Sequence, residues 1–257
     1  MTLREPYSRS RSASTEQSGA GSRLVVTPAK RTYKHKDVSI EEIEDVLMKF
    51  TIVGKSQLIV NNFDHKITQQ MEDDRALSKE ERLKRKKEGR TAVTPEEIKR
   101  RFQNARLLDS GGNDCVRSSW IKGALITAAG YPDVGIARTK LKGALYVEGD
   151  LLPIKYKPKP AKFSSETITY FGKGPAMRRD PVRVGKFGSK QPDLRYRPAY
   201  DDWSIDFEVT FEPRLITLPE VVHLIRRAGM SVGLCEWRPE GPGGGKGGQF
   251  GRFDLKR

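Results

Sequence analysis

A chain of 257 residues with 48 lysines and arginines against 33 acidic residues carries a formal charge of +15. One or two domains with a sizeable core fit that length. A hydrophobic fraction of 36% excludes a wholly disordered chain and is low for a wholly globular one, so a compact domain with long basic appendages is expected. No apolar run approaches the roughly 18–20 residues that span a bilayer, and no apolar h-region follows the first basic residues, which argues against secretion. Cys115 and Cys235, with three histidines, offer neither a disulfide framework nor a zinc ligand set. The expectation is a cytoplasmic protein, of a bacterial or phage-infected cell, whose charge favours a polyanion.

Residues 1–37 hold eight basic residues, three acids and six serines with hardly an apolar cluster. Such a segment cannot offset its ordering entropy by burial, and it reads as a disordered basic arm ahead of a single domain over 38–257. Ser39 and Glu42 can cap a short helix before Val46–Val53, the first strand. About 60 residues then intervene, over about 63–117, with a charged helix near 79–88 and another opening at Thr94-Pro95 with Glu97 completing a capping box. Ile98, Phe102 and Ala105 mark one face of that second helix. Ser118 or Ser119 caps a helix from Trp120 to Ala129, stopped by Gly130 and Pro132. Leu141–Val147 reads as the next strand, and Glu148-Gly149-Asp150 turns the chain into Leu151–Tyr156.

The stretch 155–197 carries twelve basic residues against Glu166, Asp180 and Asp193. Lys155, Lys157 and Lys159 alternate with Tyr156, Pro158 and Pro160, so the segment is extended, a long basic hairpin or loop. Tyr170, Phe171, Phe187 and Tyr196 interleave with Arg178, Arg179, Arg183, Lys186, Arg195 and Arg197. Basic residues follow a phosphate backbone and aromatic faces stack on unpaired bases, a combination suited to single strands.

Trp203, Ile205, Phe207, Val209 and Phe211 alternate with polar residues, the period of a strand with one buried face. Thr217 and Glu220 form a T-x-x-E capping box, Val221, Val222, Leu224, Ile225 and Ala228 share a helical face, and Gly229 is placed to end the helix. Ser231–Trp237 reads as a further strand with Cys235 as a small buried hydrophobe. Together the elements give an α+β domain, a ferredoxin-like or RRM-like βαββαβ antiparallel sheet with a helical insertion. Beyond it, seven of the eleven residues from Gly241 to Gly251 are glycine. Glycine lets backbone N–H groups approach a phosphate closely and reach positive φ. The candidate residues there are Gly243, Gly244, Gly245, Gly247 and Gly248. Arg238, Lys246 and Arg252 add charge, and Trp237, Phe250 and Phe253 add flat faces. Neither a P-loop nor a dinucleotide fingerprint is present.

FTIVGKSQLIV, SSWIKGALITAA and the closing LPEVVHLIRRAGMSVGLCEWRPEGPGGGKGGQFGRF resemble the RAMP superfamily over about 44–257. That group includes the ferredoxin-like backbone subunits that line up along guide RNA in CRISPR effector complexes, and the likeness runs closest to uncharacterised bacteriophage proteins of this layout. The resemblance implies that the glycine-rich segment, basic residues of the first helix and an extended hairpin hold the strand. By position these are Gly241 to Gly251, Lys122, and the stretch from Lys155 to Arg197; Lys55 and Arg117 join the same candidate set. The helical insertion at 63–117 falls where members of that family diverge most.

No nucleophile, base and orienting group assemble, and no metal-spaced carboxylates, so no catalysis, cofactor or metal is expected. His223 reads as an edge-of-core or surface residue, and the Asp201-Asp202 pair as a solvated turn. The sequence therefore points to a single-stranded RNA- or DNA-binding protein that self-associates along the strand. The alternative is a phage structural or assembly protein whose basic arm contacts nucleic acid or acidic partner subunits.

Overall fold

The computed structural model describes residues 44–62, 78, 80, 94–184, 191–241 and 247–256. The basic arm, the Ser39–Glu42 cap, and all but Glu80 of the charged helix near 79–88 lie outside them. The described residues fold as an α+β protein with two antiparallel sheets and four α-helices.

The first sheet takes the order β10–β1–β9–β5–β3, from Phe253–Leu255, Val46–Gly54, Ser204–Phe211, Leu151–Lys155 and Cys115–Arg117. The expected strands at 46–53 and 203–211 are its two centre strands, paired Phe50 to Phe207 and Ile52 to Ile205. Their period of two sends Ile205, Phe207, Val209 and Phe211 into the core. There they meet Ile121 and Leu125 of α2 (Ser118–Ala128) and Val221, Leu224 and Ile225 of α4 (Leu218–Arg227). A fully buried phenylalanine such as Phe207 is worth roughly 3–5 kcal/mol against alanine. The capping chemistry at α4 is as expected, with the Thr217 N–H donating to the Glu220 carboxylate at 2.7 Å. At Gly54 any Cβ would overlap the Trp203 indole, whose Nε1 donates to the Ser56 carbonyl at 2.8 Å.

Several expected elements differ. Residues 141–144 are helical, the end of α3 (Arg138–Ala144), and only Leu145–Val147 is strand β4. Leu141 and Ala144 are buried one turn apart while Lys140, Lys142 and Gly143 are exposed, which is helical spacing rather than alternation. Glu148-Gly149-Asp150 does not reverse the chain. β4 and β5 both run antiparallel to β9, with Val147 opposite Val209 and Ile154 opposite Ile205, so the six residues between are set against three and the extra ones bulge out. Neither Ser118 nor Ser119 caps α2: Arg117 is the N-cap and the Ser118 hydroxyl donates to the Gly149 carbonyl at 2.6 Å. Glu97 does not close the box at α1 (Pro95–Ala105). Thr94 accepts from the Glu97 N–H at 3.2 Å, but the Glu97 carboxylate pairs with Arg100 and Arg101.

The Ser231–Trp237 strand is absent. A π-helical turn, Ala228–Val232, prolongs α4 past Gly229, whose hydrogen faces the Phe253 backbone where a Cβ would overlap. The chain then turns through positive φ at Gly233, Cys235 and Trp237 (71°, 61° and 54°), which no strand accommodates, and the closing strand is β10. Half-buried Cys235 lies in that turn.

The second sheet, β2–β8–β7–β6, comprises Leu58–Ile59, Gln191–Tyr200, Ala176–Val184 and Ile168–Thr169. The basic stretch is thus largely a long β7–β8 hairpin, with Ala176 opposite Ala199 and Arg178 opposite Arg197. Asp114, itself buried, ties this sheet to the first. It accepts from Arg106 Nε and Nη2 at 2.8 and 2.9 Å, from Tyr156 at 3.0 Å and from Tyr200 at 2.8 Å.

Candidate nucleic-acid interface

Cross-strand partners share a face, so β7 and β8 align Ala176, Arg178 and Asp180 with Ala199, Arg197 and Arg195. Ile59, Ala176 and Ala199 make a small apolar floor joined by Ile168, Tyr170 and Phe250. Arginine and carboxylate side chains stand beside that floor. Arg197 is 1% exposed, with Nη2 3.0 Å from Asp180 and Nη1 3.1 Å from Glu236. Burial pulls its pKa below the ordinary arginine value, and the carboxylates of Glu236 and Asp180 oppose that shift. Arg178 Nε reaches the other Asp180 oxygen at 2.9 Å, and its Nη1 donates to Gln57 at 3.3 Å.

Above these pairs lie the two aromatic rings of the C-terminal turn. The Arg178 guanidinium sits 4.5 Å from the Phe250 ring centre and 5.6 Å from that of Trp237, and Arg197 lies 4.9 Å from Trp237. The turn holds them by backbone bonds: Phe250 N–H to the Trp237 carbonyl at 3.2 Å, Gly248 N–H to Arg238 at 3.1 Å, and Gly251 N–H to Gln57 at 2.9 Å. A Cβ on Gly248 would overlap the Trp237 carbonyl, and one on Gly251 (φ 65°) the Leu234 carbonyl. These two glycines serve the close packing of their own chain. Gly247 has an exposed surface, and Gly243, Gly244, Gly245 and Lys246 lie outside the described residues.

The other candidates divide. Arg179 is exposed, as are Lys55 and Arg252, which neighbour each other through the Lys55 N–H to Arg252 carbonyl bond at 2.8 Å. Arg195 is half-buried, on the same hairpin face as Arg197. The Arg238 guanidinium is turned inward, onto the carbonyls of Glu240 and Cys235 at 2.8 and 2.9 Å. Arg117 is half-buried 4.0 Å from Asp150, and Lys122 lies over the Tyr146 ring at 4.1 Å. Lys186 and the Arg183 side chain lie outside the described residues. Three of the expected residues, Arg178, Arg197 and Arg238, thus direct guanidinium donors at protein groups.

Sequence reasoning missed the acids and amides that order this cluster: Asp180, Glu236, Gln57 and Asn61. Asp180 alone carried a signal, as a lone acid after two arginines in a basic run. His223 is exposed and bonded to Asp133 at 3.1 Å, and Asp201 accepts from Gln57 and from Tyr170 at 2.7 Å. Burial, with the bond to Asp201, pushes the Tyr170 hydroxyl up to about 12. Among the described residues no three His, Cys, Asp or Glu side chains group as a metal site, and no helix is long and apolar enough to cross a membrane. No protein-family model matches the sequence, and no curated protein matches it.

Proposed function

We propose that the chain is a non-catalytic single-stranded nucleic-acid-binding protein on a ferredoxin-like scaffold of RAMP type, assembling side by side along RNA or single-stranded DNA. The scaffold reading is supported by the strand order: β1, α2, β4/β5, β9, α4 and β10 follow one another as βαββαβ, and β10–β1–β9–β4/β5 is the spatial order. The observation that carries the functional reading is the Arg178–Phe250–Trp237 stack. Held from below by Asp180 and Gln57, Arg178 orders the two rings, and 38% of Trp237 remains exposed as a flat face. Exposed Arg179, Lys55 and Arg252 add cations to the same body. Unpaired bases stack on such rings while the cations follow the phosphates.

The test is a titration of single- and double-stranded RNA and DNA at several salt concentrations. If about five phosphates are neutralised, log K falls against log salt with a slope near −3.5, at about −0.7 per contact. Affinity that is flat in salt, or tighter for duplex, refutes the reading. A truncation beginning at Val38 retains binding; total loss would move the function to the arm and favour an assembly protein.

A further inference from the structure

Next to the stack, α2 and the 232–238 turn enclose a cleft of about 400 Å³, within the size range of small-ligand sites. Its helical wall includes Ser119, Trp120 and Gly123, and Asn61 and Glu236 line it as well. Glu236 belongs to both places: Oε1 accepts from Asn61 Nδ2 at 3.3 Å, and Oε2 from Arg197, which stacks on Trp237. A carboxylate has about four acceptor sites, so these two bonds leave it able to accept more.

We propose that this cleft takes one base splayed out of the bound strand, and that Glu236 selects guanine. The inference rests on the single-strand reading above. A splayed base is read on its Watson–Crick edge, and a carboxylate only accepts. Guanine offers N1–H and the 2-amino group side by side. Cytosine and adenine offer one amino group each, and uracil sets its N3–H between two carbonyls that a carboxylate repels. Trp120 supplies an aromatic wall, and Gly123 leaves space that a larger residue would take: a Cβ there meets nothing within 4 Å.

The experiment is fluorescence anisotropy of the full chain with labelled oligo(U) and the same strand carrying interspersed guanines, with oligo(dT) counterparts. The wild-type chain binds the guanine-bearing strands about tenfold tighter, the discrimination of one bidentate contact. Gly123→Leu fills the cleft from an exposed helical site, where the Cβ meets no clash and leucine is the better helix former. Its melting temperature does not fall, yet the guanine-bearing strand drops to the affinity of oligo(U). Glu236→Gln also loses the preference. Equal affinity of the wild-type chain for both strands, or a preference that survives in Gly123→Leu, overturns the guanine pocket while leaving strand binding standing. Failure of the wild-type chain to bind any single strand overturns the parent reading and this one with it.

Discussion

Replacing Asp180 by alanine isolates what holds the candidate interface together. Arg197 is the most buried charged side chain among the described residues, and Asp180 lies 3.0 Å from its Nη2 and 2.9 Å from Arg178 Nε. At an effective dielectric near 20, opposite charges about 3 Å apart attract by roughly 5 kcal/mol. Dehydrating each ion costs several kcal/mol, so little of that attraction is net gain while both partners are present. Removal of one partner is different, because the dehydration of Arg197 persists without its compensation. Glu236 remains at 3.1 Å, but its side chain is 36% exposed and water weakens the pair. The expected cost of Asp180→Ala is therefore about 4 kcal/mol, within the roughly 3–5 observed for broken buried pairs. Asp180→Asn retains an oxygen for Nη2 and loses the charge, for about 2 kcal/mol. Urea denaturation with linear extrapolation reads both values. A loss below about 1 kcal/mol in the alanine variant would show that Arg197 does not depend on Asp180 for its burial. The same logic separates arginines by role: Arg179→Ala shallows the salt slope of single-strand binding by about 0.7, whereas a change at Arg197 acts on stability.

Two further outcomes follow from buried polar groups. Asp114→Ala strands Arg106 and two tyrosine hydroxyls and lowers stability by roughly 3–5 kcal/mol in the same urea assay; a loss under about 1 kcal/mol would show the network to be dispensable. Stability also falls in alkali: burial, with hydrogen bonds to Asp114 or Asp201, raises the Tyr156, Tyr170 and Tyr200 pKa values. Below the unfolded value near 10, both states hold these protons. Above it the unfolded chain releases them first, so the stability they contribute drains away as pH rises through the folded values. Unfolding free energies that stay level from about pH 9 to about pH 11.5 would contradict that linkage.

Which elements could be read from the sequence depended on whether their signal was local. β9 and α4 declared themselves through period-two alternation and a capping box, and both signals survive because one sheet face and one helix face bury the same core. α3 was misread because Leu141, Ala144, Leu145 and Val147 are compatible with either period over so short a run. The turn at 234–237 was misread because positive φ at Cys235 and Trp237 is imposed by tertiary bonds, among them Leu234 N–H to the Gly251 carbonyl at 2.9 Å and Glu236 N–H to Ile59 at 3.0 Å. Of the interface, the basic and aromatic composition was legible and its pairing was not. Glu236 stands 39 residues from Arg197, and Gln57 121 residues from Arg178. No spacing rule reaches across such separations, so buried arginines looked the same as exposed ones.

The charge pairing on the first sheet also argues for where a strand would lie. The face of β1 and β9 turned away from α2 and α4 carries Leu47, Lys49, Thr51, Asp206, Glu208 and Thr210. Its cations are matched: Lys49 to Glu208 at 2.8 Å and Lys155 to Asp206 at 2.5 Å, with Thr51 donating to Asp206 at 2.7 Å and Thr210 to Glu148 at 2.5 Å. RNA-binding sheets of this general kind stack bases on aromatics of the open face. Here the two centre strands present none outward, and beside them Tyr146 on β4 is 51% exposed with the Lys122 ammonium 4.1 Å over its ring. A polyanion meeting this face would find paired charges and one exposed tyrosine, whereas the second sheet carries the Trp237–Phe250 pair over Arg178 on one face and exposed Arg179 on the other, the features on which the proposed function rests.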